Sequence, residues 1–98
     1  MRGTDNFGKI YTKTLRTSSA VTIAANAQSR IDFANALDSG ETFLGLVGWD
    51  GNNVNQTSMA ANLYNASSNT FQVWVGNLTS ASKTMNYYQV TILVKGGE

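Results

Sequence analysis

Residues 88–94 read Tyr88-Gln89-Val90-Thr91-Ile92-Leu93-Val94. Tyr88, Val90, Ile92 and Val94 fall on one face of a period-two pattern, while Tyr87, Gln89, Thr91 and Leu93 fall on the other. Successive side chains of a strand point to opposite faces, so this alternation predicts a half-buried β-strand. Thr70 to Gly76 repeats it, with Phe71, Val73 and Val75 on one face and Thr70, Gln72 and Trp74 on the other. The second face there carries a lone indole. Upstream, Ser29, Ile31 and Phe33 alternate with Gln28, Arg30 and Asp32, and Val21 and Ile23 form a shorter strand before them. With Ala25-Asn26-Ala27 as the turn, these two strands read as a hairpin.

Thr42 to Asp50 behaves differently. Phe43, Leu44, Leu46, Val47 and Trp49 put apolar groups on both faces, with Gly45 and Gly48 between them. That pattern predicts a mid-sheet strand covered on both sides, with the glycines marking a bulge or a close backbone approach. Asp50-Gly51-Asn52-Asn53 then signals a turn. Ile10, Thr12, Thr14 and Arg16 alternate with Tyr11, Lys13, Leu15 and Thr17 to give a first strand whose buried face the pattern leaves open. Met59 to Ala66 fits a strand or a helical turn, although Asn62 and Asn65 disfavour a helix.

Seven or eight short strands separated by Ser, Asn and Gly turns predict an all-β fold: one small antiparallel β-sandwich, jelly-roll-like or immunoglobulin-like. Ninety-eight residues suit a single domain over 1–98. Residues 1–6 and 96–98 carry no pattern and are expected to be flexible. A sandwich of this size buries only around 60–65% of its unfolded surface, which makes help from a partner plausible.

Composition narrows the chemistry. The chain has no histidine, cysteine or proline, so Ser-His, Cys-His and thiolate-metal constellations are out. Asn (11), Thr (11) and Ser (9) dominate, whereas charged residues reach only 13%, against about 25% in an ordinary domain. Seven basic and six acidic side chains give a net charge of +1, too little to drive binding to a phosphate backbone. Nucleic acid is not an expected partner. No apolar run is long enough for a membrane-spanning helix, and the opening residues 1–7 do not read as a signal peptide. No cofactor is implied, and the Asp50-Gly51-Asn52-Asn53-Val54-Asn55 loop lacks the ligand spacing of an EF-hand.

Two groups of residues invite a functional reading. Trp49, Asp50, Asn52, Asn53 and Asn55 combine one aromatic with several amides and a carboxylate at a strand end and its loop. Stacking plus planar hydrogen-bonding groups is how glycans are read, so this is the candidate ligand site. The competing reading is ordinary turn chemistry, with Trp49 finishing the core. Trp74, Met85, Tyr87 and Leu93 fall opposite the inferred core faces and form the candidate oligomer interface. Trp74 also suits a sugar platform. Of the carboxylates, Asp38 and Glu41 share one Asp-Ser-Gly-Glu turn and are read as bending the chain, and Arg30 and Asp32 as a surface pair. No catalytic residues are identified, and the chain is read as non-enzymatic. The three Asn-x-Ser/Thr sequences at Asn55, Asn65 and Asn77 are about as many as this composition gives by chance, and the tetrads at Asn65 and Asn77 read as shared turn chemistry.

The segments Val21–Phe33, Phe43–Trp49 and Tyr88–Val94, in that order, resemble small β-sandwich modules of bacteriophage and prophage virion proteins, of the type found at the C-terminal end of tail-fibre or tail-associated proteins. Gly40-Glu41-Thr42 stands where such modules carry a proline before the central strand. The resemblance implies a virion structural or receptor-binding module that forms a homotrimer. It would act on the phage particle or tail, against other virion proteins and possible host-surface polysaccharide. A capsid decoration protein and a carbohydrate-binding module of a secreted bacterial enzyme are the alternatives.

Overall fold

A computed structural model describes residues 9–52 and 55–96. Eight strands follow one another: β1 (Ile10–Arg16), β2 (Val21–Ile23), β3 (Gln28–Phe33), β4 (Thr42–Gly51), β5 (Thr57–Asn65), β6 (Thr70–Asn77), β7 (Lys83–Met85) and β8 (Tyr88–Lys95). All pairings are antiparallel and no helix occurs among the described residues. The fold is an all-β sandwich.

Its frame is a long two-stranded ribbon. Ile10 faces Lys95 and Arg16 faces Gln89; Val21 faces Met85 and Ile23 faces Lys83; Gln28 faces Gly76 and Phe33 faces Phe71. The register slips by no more than a residue or two from one end to the other. The ribbon folds back on itself, so its two ends become sheets β1-β8-β4 and β3-β6-β5, joined through the short β2-β7 pair. First strand beside last, second beside seventh and third beside sixth is the nested pairing of a jelly roll. It differs from the immunoglobulin arrangement, where the first strand lies beside the second.

The two inner faces close on one core. Tyr88, Val90, Ile92 and Val94 of β8 meet Phe71, Val73 and Val75 of β6, with Ile23, Ile31, Phe33, Ala36 and Met85 completing it. Phe43 of β4 stacks on Tyr64 of β5 at 5.4 Å and tilts against Phe71 at 5.3 Å, tying the added edge strands to the core. Burying side chains of this size contributes about 1.5–3 kcal/mol each, so β6 and β8 carry most of the stability.

The bend of the ribbon is held by a buried amide. Asn77 Nδ2 donates to the carbonyls of Ile23, Ala24 and Ala81 at 3.0, 3.2 and 2.8 Å. Its Oδ1 accepts from the N–H and hydroxyl of Thr79 at 2.9 and 2.7 Å. Every polar atom of the Asn77 side chain is thus engaged, which is what makes a buried amide tolerable. Asn65 repeats the local half of the motif, accepting from the N–H and hydroxyl of Ser67. The two Asn-x-Ser/Thr tetrads are therefore one kind of turn.

Several expectations are corrected. β2 and β3 are not a hairpin: the Ala24–Ala27 turn, with Asn26 at φ 53°, bends the ribbon, and each strand pairs with the C-terminal arm. β4 is an edge strand, not a mid-sheet one, because β8 is its only neighbour among the described residues. Met85 is in the core, fully buried, not on the outer face. Alternation carries phase only through continuous strand, and the break at residues 86–87 resets it between β7 and β8. Gly96 is tied down, its N–H donating to Lys9 O at 2.7 Å. The expected flexible segment 1–6, and residues 97–98, lie outside the described residues.

Candidate functional site

The sandwich presents two outer faces. Opposed residues of an antiparallel ladder share a face, so Ile10, Thr12, Thr14 and Arg16 of β1 lie outward with Lys95, Leu93, Thr91 and Gln89 of β8. Gly45, Gly48 and Asp50 of β4 complete this face beside Leu93, Thr91 and Gln89. One end is organised by Arg16, which donates to Gln89 Oε1 at 2.7 and 3.0 Å and lies 4.1 Å from the Tyr87 ring centroid. The centre is uncharged. On the opposite face, Trp74 of β6 is flanked by Arg30 and Ala61, with Gln72 and the exposed Leu63 alongside. Arg30 reaches over the Trp74 ring at 5.9 Å and is held by Asp32 at 2.9 Å.

Trp74, Tyr87 and Leu93 therefore point away from the core, but onto two different faces. Leu93 and Tyr87 belong to the β1-β8-β4 side and Trp74 to the β3-β6-β5 side. A single contact cannot cover all three.

The candidate ligand loop is also divided. Trp49 pairs with Val90 and Asp50 with Gln89, so these neighbours point to opposite sides of the sheet. Trp49 is 49% exposed although it shares a face with the buried Val90, since β4 is the sheet edge. Asn52 turns inward: its Oδ1 accepts from the backbone N–H groups of Asn86 and Tyr87, pinning the β4–β5 loop to the corner before β8. Asn55 is exposed, and Asn53 lies outside the described residues. Trp49, Asp50 and Asn52 do not converge on one point.

The open side between edges β4 and β5 holds a groove of about 600 Å³ lined by Leu37, Glu41, Thr42, Phe43, Asn62 and Tyr64, among others. Sequence reasoning missed it, since it exists only where two edge strands from different sheets come together. Its polar groups are largely committed. Tyr64 donates to Asn69 Oδ1 at 2.8 Å, and Asn69 clasps the backbone of Leu37 in both directions.

Glu41 anchors the other polar cluster. Its carboxylate accepts from Lys13 Nζ at 2.8 Å, from the Tyr11 hydroxyl and from the Asp38 N–H at 2.8 Å. The Lys13 and Tyr11 hydrogen bonds hold its pKa down at about 2. Lys13 is raised: burial opposes its charge, but the Glu41 hydrogen bond and charge outweigh burial. Tyr11 is raised chiefly by its hydrogen bond to Glu41. A carboxylate held ionised is the opposite of a general acid's requirement, so this cluster clamps the Asp38–Glu41 turn onto β1. The one large upward shift belongs to Tyr88, whose hydroxyl is buried without a hydrogen-bond partner among the described residues; burial pushes it to about 12. Among the described residues, no three Asp, Glu, His or Cys side chains stand together in a way that could hold a metal ion.

No protein-family model, curated protein or solved structure matches the chain.

Proposed function

We propose that this chain is a non-enzymatic structural and adhesion module of a bacteriophage virion, a neutral β-sandwich that self-associates and presents Asn-, Ser- and Thr-rich loops to its surroundings. The observation that carries self-association is the edge strand β4, where Leu44, Val47 and Trp49 are 45%, 58% and 49% exposed on a chain with few charges. Apolar groups gathered on one strand of a small sandwich mark a surface that another protein covers. The virion setting, and a copy number of three, come from the sequence resemblance alone. Function in this reading is passive: weak neutral contacts, multiplied over copies, give avidity without strong single sites.

Mass in solution tests it, by light scattering from micromolar to millimolar concentration. An oligomer is expected, and a monomer throughout would overturn self-association. Trp74, partly exposed beside Arg30, Asp32 and Gln72, supports a second reading as a carbohydrate-binding module. Glycan-array binding that disappears in Trp74→Ala, on a chain that stays monomeric, would favour that reading over the first.

A further inference from the structure

β4 repeats a three-residue unit: Phe43-Leu44-Gly45, Leu46-Val47-Gly48, Trp49-Asp50-Gly51. Its partner β8 advances by two residues over each of the first two units, since Phe43, Leu46 and Trp49 face Val94, Ile92 and Val90, and the third unit pairs in step with Val90, Gln89 and Tyr88. Two bulges absorb the difference, one between Phe43 and Gly45 and one between Leu46 and Gly48. Each unit sends its first side chain toward the inner face and its second outward.

The glycines at 45 and 48 lack an internal explanation. Gly40 has φ 86°, which disfavours any side chain, and a Cβ on Gly76 or Gly96 would press on Ser58 Oγ at 3.2 Å or the Tyr11 ring at 3.0 Å. Gly45 and Gly48 have no left-handed φ, and a Cβ on either would meet nothing within 4 Å. Their bulges are thus not the kind that demands a left-handed glycine. Glycine in a strand interior sacrifices backbone entropy and side-chain packing. Two such positions, three residues apart beside Leu93 and Thr91, leave hollows on the outer face next to the projecting Leu44 and Val47.

We infer that this face is closed by a second copy of the chain, packed face to face and antiparallel about a two-fold axis that crosses β4 at Leu46. That axis lays Leu44 of one copy over Gly48 of the other, and Val47 over Gly45. An isologous contact needs such self-complementarity, each patch serving as both knob and hollow. Charge agrees. The same axis sets Asp50 over Thr42, and Thr42 lies beside Lys95 in the ladder. Asp50 stands at one end of this face, with Arg16 on the far side of Gln89, and Lys95 at the other end. The stretch between them is uncharged, and neither Asp50 nor Lys95 makes an ion pair among the described residues. Three strands about 4.8 Å apart and about seven residues long give a footprint of roughly 350 Å², well under the about 800 Å² per partner of a standard stable interface. The single contact is therefore weak, and the average mass in solution rises from monomer toward dimer with concentration.

This inference rests on the self-association proposed above, and its test separates the two. The intact chain and its Gly45→Thr and Gly48→Thr variants are compared by sedimentation across the same concentration range. Threonine at an open strand position leaves the urea midpoint unchanged or raised, which shows that the fold survives. At the same time it fills the hollow and weakens the dimer at least about tenfold. Asp50→Lys is expected to weaken it too, and Asp50→Lys combined with Lys95→Asp to restore it. Wild-type association that both glycine variants leave unchanged would overturn the location, and a trimer would overturn the two-fold axis. A wild-type monomer at every concentration would remove self-association itself.

Discussion

β8 and β4 run side by side, hydrogen-bonded from Thr42↔Lys95 to Gly51↔Tyr88, yet they obey different rules. β8 keeps a strict two-residue period, and its Tyr88, Val90, Ile92 and Val94 are all fully buried. β4 bulges twice, sends Leu44 and Val47 outward, and leaves Trp49, on the inner side of the sheet, 49% exposed at the edge. A strand with neighbours on both sides is held to the pleat by two ladders. An edge strand has one, and can slip a residue out of register at low cost. The regular strand thus builds the protomer, while the irregular one shapes its outer surface.

The sharpest way to break this contrast is to delete the same kind of atoms from each strand. Ile92→Ala empties a fully buried site and is expected to lower unfolding free energy by about 2–5 kcal/mol in urea titration. Val47→Ala, on a side chain 58% exposed, should stay within about 0.5 kcal/mol in the dilute monomer. Equal losses would mean that β4 is as much core as β8.

Asn77→Ala comes next. It removes a donor from the carbonyls of Ile23, Ala24 and Ala81 at the ribbon bend and the acceptor of the Thr79 N–H, while the Thr79 hydroxyl still reaches Ala81 O at 2.8 Å. An expected loss of about 1–3 kcal/mol would show as a lower thermal midpoint.

The contrast extends to pH. Glu41 enters at the start of β4, and its folded pKa lies near 2, below its ordinary 4.5. A depressed carboxylate contributes stability that is complete above the ordinary value and lost as pH falls through the folded one. Urea midpoints should therefore drop between pH 4.5 and 2, and Glu41→Gln should flatten that drop. Tyr88 opens β8 and acts at the other end of the scale. Its folded pKa of about 12 exceeds the ordinary 10.0, so the folded state holds its proton more tightly and stability falls as pH rises between them. Tyr88→Phe removes the buried, unpartnered hydroxyl and should change stability by less than about 1 kcal/mol, in the stabilising direction, while abolishing that alkaline decline.

Alternation was readable wherever it ran unbroken. It identified the buried faces of β3, β6 and β8 from Ile31, Phe33, Phe71, Val73, Val75 and the four inward residues of β8. It failed at Met85, where a two-residue break lets the backbone rotate and the phase restart. It failed again at 42–50, where apolar groups on both faces read as double coverage although the strand is an edge. The loop cluster at Trp49, Asp50 and Asn52 looked convergent because its members are close in sequence, but adjacent strand residues point apart.

What the amino-acid order alone determined was the all-β character, the neutral hydrogen-bonding surface and most of the core, since these follow from residue type and local period. Strand pairing was decided by tertiary structure. Which segments meet depends on how the whole chain can close its inner faces together, and no local pattern encodes that the first strand lies against the last. The same holds for the outer face of β4: its bulges exist only relative to the register of β8. Its two open glycines become conspicuous only once every neighbouring atom is in place and none approaches them.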